Sequence, residues 1–255
     1  PHLLSFKYLP NLTAGLTFFI AVAATNLFHQ GNWQRVYAAK NNEVLKKSLI
    51  ISFLIIIPIV FFMGFTGLVS SSVNHDVIPD LAFFSLLLKK NSLTISIIII
   101  LLSISLTISS IDTLINAISS LVIVDGKKLL KVKGDYLILS KYLIIILSTF
   151  AFYFASKGLS ILYLFLLADL FCCAFVFTVF YGFYNKNLNE KTAFISIISG
   201  LIFGLFLFPS HDFSQSLLVG ILVPIDFFPS FVSESLLFLS FLVATFIPIL
   251  IWKLR

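Results

Sequence analysis

The sequence predicts an all-α, polytopic membrane protein, and its composition and its apolar runs both support this class. Of its 255 residues, 59% are hydrophobic and only 11% are charged, whereas soluble domains average about 25% charged residues. The run 49–69, LIISFLIIIPIVFFMGFTGLV, matches the roughly 20 residues that a helix needs to cross a bilayer. The net charge of +6 comes from Lys and Arg between such runs, so we do not expect a nucleic-acid partner.

About seven transmembrane helices are predicted, because seven apolar stretches are long enough to span and each is flanked by polar or charged residues. In chain order they cover about 12–30, 48–70, 93–124, 136–155, 159–184, 192–208 and 232–252. The apolar piece 80–88, DLAFFSLLL, is too short to span, and we interpret it as a helix at the membrane surface. Pro224, Asp226 and Pro229 interrupt the segment 215–230, which we interpret as an outer interfacial or re-entrant piece.

The positive residues predict the orientation of these helices. They cluster after the first, third, fifth and seventh helix, so these regions share one side, which the positive-inside rule assigns to the cytoplasm. The cations are Arg35, Lys40, Lys46, Lys47, Lys127, Lys128, Lys131, Lys133, Lys186, Lys191, Lys253 and Arg255. Lys89 and Lys90 are exceptions on the outer side. We therefore expect an integral protein of the plasma (inner) membrane, with the N-terminus of this chain outside and its C-terminus in the cytoplasm.

Sequence patterns typical of enzymes and of cofactor sites are missing. Cys172 and Cys173 are adjacent in an apolar run, which predicts packing residues and neither a disulfide framework nor a metal site. No His/Asp metal cluster, nucleophile elbow or phosphate loop is visible. We expect no enzyme activity, no cofactor and no soluble domain.

The third predicted helix carries an unusual polar stripe in the stretch 103–120, SISLTISSIDTLINAISS. At about 100° per residue, seven polar side chains share an arc of about 120°. They are Ser105, Ser109, Asp112, Thr113, Asn116, Ser119 and Ser120, and we call them the polar face. A charge at the bilayer centre costs at least ~2.5 kcal/mol, so we expect this face to line the bundle interior.

The polar face offers only hard oxygen and amide groups, which suit a small hard cation or a proton. A plainer alternative is that its hydroxyls hydrogen-bond to their own helix or join neighbouring helices. The residues themselves leave both interpretations open.

Four segments resemble the sodium/solute symporter family. SSIDTLINAISSLVIVD (109–125) resembles its eighth core helix, in which a hydroxyl pair, Asp, a hydroxyl residue and a terminal acid recur, here ending at Asp125. NLFHQGNWQRVYAAKNNEVLKKS (26–48) is similar to the sixth core helix and its exit, and LYLFLLADLFCCAFVFTVFYGFY (162–184) to the tenth. KTAFISIISGLIFGLFLFP (191–209) is similar to the helix that follows.

The resemblance implies the LeuT-type inverted-repeat fold. Residues 1–255 would then form a single transmembrane domain, with core helices six to ten at about 12–184 and two additional helices at about 192–252. Family members are considerably longer and this chain opens at Pro1, so we expect a fragment whose partner is the missing first repeat of the same transporter. The site of this architecture lies between the repeats, so we expect that residues 1–255 alone do not transport.

The resemblance also implies a cation site on the helix 93–124. One sodium ion would be held by the hydroxyls of Ser109 and Ser110 and by the backbone carbonyl of Leu106. Asp112 and Thr113 match a further cation position in some members. Asp112 could bind that cation or a proton, and the sequence leaves this choice open.

The substrate positions implied by the resemblance are Val22, Thr25 and Asn26. The family often has an aromatic residue there, and its absence here leaves the solute open beyond a small polar molecule. Asp169 is the second acid inside a predicted span. We expect a gating or coupling role for it. Its side chain could form a gate contact, relay a proton or make a buried helix–helix hydrogen bond, and the sequence leaves these three roles open.

Together these features predict a sodium-coupled secondary active transporter, a symporter, that moves a small polar solute across the lipid bilayer by alternating access. One alternative is a symporter-like transmembrane sensor module of a signalling protein, which needs a long soluble C-terminal extension. Another is a non-functional fragment.

Overall fold

The computed structural model describes residues 5, 7–73, 78, 81–88, 92–126, 128, 135–185, 189–211, 213, 216 and 229–253. In these residues the chain is helical, and its one β-type contact is an isolated bridge between Pro209 and Ser216. The prediction of an all-α protein is confirmed.

Ten α-helices follow one another along the described chain. They are α1 (Leu9–Phe28), α2 (Gln30–Ala38), α3 (Asn42–Val73), α4 (Ala82–Leu88), α5 (Leu93–Ser120), α6 (Tyr136–Ser156), α7 (Ile161–Tyr184), α8 (Glu190–Leu207), α9 (Ser230–Glu234) and α10 (Leu236–Lys253). A π-helical segment, Leu121–Gly126, continues α5. Seven helices are long and apolar enough to cross a membrane, namely α1, α3, α5 with its π-helical end, α6, α7, α8 and α10. Each of them overlaps one of the seven predicted spans.

The chain divides into two compact units. Unit 1 combines Pro1–His29 with Leu159–Arg255, and unit 2 is the continuous stretch Gln30–Gly158. In unit 1, α1, α7, α8 and α10 pack around a buried apolar core. Its fully or almost fully buried members include Ala21, Leu166, Leu170, Cys173, Phe208, Phe241 and Ala244.

The most extensive packing between helices in unit 1 joins α8 to α10. Gly200 and Gly204 lie one turn apart on α8, and the Ser240 hydroxyl of α10 donates to the Gly204 carbonyl at 2.9 Å. A Cβ atom on Gly200 would lie 2.8 Å from the Ala244 carbonyl oxygen and 2.9 Å from Cγ of Pro248. The glycines therefore permit a backbone contact that larger residues would prevent, as in small-residue motifs of membrane helices.

The predicted surface piece 80–88 forms a helix from Ala82 to Leu88 in unit 2. It packs on the end of α3, where the Ser70 and Ser85 hydroxyls are 2.7 Å apart and Ser70 is buried. Lys89 and Lys90 lie outside the described residues, as does most of the predicted interfacial segment 215–230. The surface position of α4 stays a prediction.

The region after the first span differs from the prediction of a loop, and the prediction was wrong there. The first span ends at Phe28 and not at 30, and α2 follows from Gln30 to Ala38. The next span begins at Asn42, six residues before the predicted start at 48. The Asn41 side chain caps it by accepting from the backbone N–H of Val44 at 2.8 Å. Side-chain capping and a Glu43–Lys47 ion pair at 2.9 Å extend this helix beyond its apolar run.

Candidate functional site

The predicted cation ligands on α5 lie where regular helix geometry brings hydroxyl and carbonyl oxygens together. The Ser110 hydroxyl donates to the Leu106 carbonyl oxygen at 2.9 Å. The Thr113 hydroxyl donates to the Ser109 carbonyl oxygen at the same distance. Two predicted ligands, the Leu106 carbonyl and the Ser110 hydroxyl, are therefore neighbours. These bonds are also what the plainer alternative requires, in which the hydroxyls simply bond to their own helix.

Asp112 lies on the exposed side of α5. Its carboxylate has no hydrogen-bond or ion-pair partner among the residues that the structure describes. The side chains of Ser105, Ser109 and Asn116 are exposed as well. Among the described residues of α5, the buried one is Ala117. This part of the polar face is thus available to a ligand or to another helix, and its position at a bundle interior stays a prediction.

The C-terminal end of the polar face has a partner within unit 2. The amide Nε2 of Gln34 on α2 donates to the Ser120 hydroxyl at 2.7 Å, and Gly31 of the same short helix is buried. No role was predicted for Gln34, which precedes Arg35 in the segment 26–48. The pairing links α2 directly to the helix with the proposed cation ligands.

Immediately beyond Ser120, the helix changes from α to π geometry through Leu121–Gly126. The Leu121 N–H is shared between the carbonyls of Ala117 and Ile118 at this transition. Short π-helical turns are rare and occur frequently at functional sites. Asp125, the terminal acid of the quoted motif, lies in this turn and is exposed.

In unit 1, two predicted functional residues are bonded to each other. The Thr25 hydroxyl of α1 donates to a carboxylate oxygen of Asp169 on α7. Asp169 is only 6% exposed. Among the possible roles of Asp169, the buried helix–helix hydrogen bond is the one that the structure contains, and a gating or coupling role stays a prediction.

The three predicted substrate positions have different surroundings. Thr25 is half-buried against α7, whereas Val22 is 52% exposed. The Asn26 side chain is exposed, and its amide donates to the Val22 carbonyl at 2.8 Å. Val22 and Asn26 are therefore joined through α1 itself, while Thr25 is engaged with Asp169.

His29 marks a break in the helical backbone that the sequence did not predict. Its φ and ψ of −72° and 102° are extended, and they separate α1 from α2. Its Nδ1 atom is buried and has no hydrogen-bond partner among the described residues. The His-Gln-Gly sequence that follows Phe28 is the available signal, since a glycine and polar residues interrupt the apolar run there.

Comparisons with known proteins give no match: neither a family model, nor a curated protein, nor a solved structure corresponds to this chain. The described residues also contain no group of three or more His, Cys, Asp or Glu that could hold a metal ion.

Proposed function

We propose that this protein is a sodium-coupled symporter for a small polar solute, working by alternating access in a LeuT-type fold. Support comes from the seven apolar helices and from the four segments that resemble the sodium/solute symporter family. The observation that carries the proposal is the arrangement on α5. There the Leu106 carbonyl and the Ser110 hydroxyl lie 2.9 Å apart, and Asp112 shares a face of the helix with the adjacent Ser109, three residues earlier.

The proposed site works through oxygen ligands. When the Ser110 hydroxyl turns its proton away from Leu106, both oxygens can direct lone pairs at one ion, and Ser109 and Thr113 supply further hydroxyls. Hard cations prefer such ligands, and the Asp112 carboxylate balances the positive charge where the surroundings are less polar than water. Bound sodium would favour the conformation that also binds solute, so that the sodium gradient drives solute uptake.

Sodium binding to the complete protein is the direct test. We expect the purified protein in liposomes to bind radioactive sodium saturably, with competition by unlabelled sodium chloride and none by choline chloride at equal ionic strength. A sodium gradient should then drive uptake of one compound from a panel of small polar solutes. Binding that choline chloride reduces equally would identify a nonspecific charge effect and contradict the proposal.

We also propose that the protein lies in the plasma (inner) membrane with its positive regions in the cytoplasm. In a background with Cys172→Ser and Cys173→Ser, single cysteines at Asn42 and Lys157 report the two sides, since both residues are exposed beside the ends of spans. A membrane-impermeant maleimide should label Lys157→Cys in intact cells, and Asn42→Cys only after the cells are opened. The reverse pattern would contradict this orientation.

A further inference from the structure

Asp169 lies well inside α7, eight residues after the helix begins at Ile161, which corresponds to a depth of about 12 Å along the helix axis. Leu166 and Cys173 lie on the same face of α7 and are 1% and 0% exposed. On α1, Ala21 precedes Thr25 by one turn and is completely buried. The carboxyl group is therefore enclosed by apolar side chains, with the Thr25 hydroxyl as its polar contact.

No cation balances this carboxyl group within the described part of unit 1. The helix α1 contains no ionisable side chain, and the ionisable neighbours on α7 are the thiols of Cys172 and Cys173. The described charged residues of α8 and α10 lie at the first turn of α8, at Glu190 and Lys191, and at the last residue of α10, Lys253. Among the described residues, no ion pair involves Asp169.

A charged carboxylate in such a place has a large solvation cost that one neutral hydroxyl only partly offsets. Binding a proton removes the charge and lets the group keep its hydrogen bond from Thr25. A sodium ion would need several more oxygen ligands than these two side chains provide, and the surrounding core residues are closely packed.

We propose that Asp169 is a proton-binding site, separate from the cation site on α5. When water reaches the carboxylate, one of its oxygens takes a proton from a hydronium ion, which leaves a water molecule and changes the charge of Asp169 from −1 to zero. The neutral acid is then held between α1 and α7 with its other oxygen accepting from Thr25. When the two helices separate and water returns, the acid gives the proton back to water. This site does not depend on sodium binding at Ser110 and Asp112.

The consequence is a pH-sensitive contact between α1 and α7. Protonation favours the packed arrangement in the structure, and ionisation favours an arrangement in which water hydrates Asp169. A helix contact that opens and closes with proton release is what a proton-coupled or pH-regulated transport cycle requires.

Infrared difference spectroscopy tests the protonation state directly and needs no solute. Protein reconstituted in liposomes should show a carbonyl stretching band of a protonated carboxylic acid that shifts in heavy water. Asp169→Asn should remove this band, and Asp112→Asn, which changes the exposed acid on α5, should leave it in place. Thr25→Val should move the band to higher frequency because the hydrogen bond to the acid is lost.

The stability of the Asp169→Asn variant also distinguishes a protonated Asp169 from an ionised one. If Asp169 is protonated in the folded protein, Asp169→Asn preserves the charge and shape of the group, and the protein should melt close to the wild-type temperature. Spectra of Asp169→Asn and Thr25→Val that match the wild-type spectrum throughout the carboxylic-acid region, at every pH at which the protein is folded, would overturn the proposal. The proposal would also be overturned if the spectrum of Thr25→Val differed from the wild-type spectrum only in carboxylate bands. This comparison can be made even if Asp169→Asn does not fold.

Discussion

Asp112→Asn is expected to weaken sodium binding by at least about tenfold, which corresponds to about 1.4 kcal/mol. The carboxylate contributes the one full negative charge on the proposed site, and the amide that replaces it keeps the shape but contributes only a dipole. Binding of radioactive sodium to the complete protein in liposomes measures the change. If Asp112 carries a proton instead of balancing the ion, sodium affinity should persist and the part of the pH dependence of uptake that Asp112 contributes should disappear.

Two serines on the same helix provide a matched pair for this experiment. The Ser110 hydroxyl belongs to the proposed site, whereas the Ser105 hydroxyl donates to the Leu101 carbonyl at 2.8 Å, more than a turn earlier on α5. Ser110→Ala should reduce sodium affinity and Ser105→Ala should not, although each removes one hydroxyl bonded to its own helix. Wild-type sodium affinity in Asp112→Asn and Ser110→Ala, at wild-type expression, would mean that the polar side chains of α5 only bond to their own helix or join helices.

Gly200→Ala is expected to destabilise unit 1 by about 1–3 kcal/mol, the usual cost of overpacking. The added methyl would lie 2.8 Å from a backbone oxygen, the carbonyl of Ala244, and 2.9 Å from Cγ of Pro248, so α8 and α10 must move apart. Thermal unfolding followed with a thiol-reactive dye measures this, since Cys173 is completely buried in the folded core.

Gly64→Ala is the matched control for this substitution. Gly64 also lies inside a spanning helix, α3, and a methyl group there meets no atom within 4 Å. Alanine favours the helix over glycine, so this variant should melt at or above the wild-type temperature. Equal melting temperatures for Gly200→Ala and Gly64→Ala would contradict the close contact between α8 and α10.

The spans could be predicted because hydropathy depends on each segment alone, and all seven apolar stretches became long helices. The ends of the helices were harder to predict from the sequence. The start of α3 depends on the cap by Asn41 and lies in a charged stretch that hydropathy assigns to a loop. The short helix α2 is polar along much of its length, so its packing through Gly31 is invisible to a search for apolar runs.

The candidate site was predictable only where it lies on one helix. The polar face of α5 follows from helix periodicity, and the bond between Ser110 and Leu106 follows from its geometry. The bond between Thr25 and Asp169 joins residues 144 positions apart, so it depends on how α1 and α7 pack. The contact between Gln34 and Ser120 was missed for the same reason.

Pro248 gives the contact between α8 and α10 a consequence for how this sequence can evolve. Proline has no N–H, so the Ala244 carbonyl one turn earlier loses its donor within α10 and faces Gly200 instead. A residue other than proline at 248 would have a backbone N–H that can donate to the Ala244 carbonyl within α10. That carbonyl would then lie further from position 200, and a larger residue could fit there. Among orthologues, positions 200 and 248 should therefore covary, with glycine at the first wherever proline occupies the second.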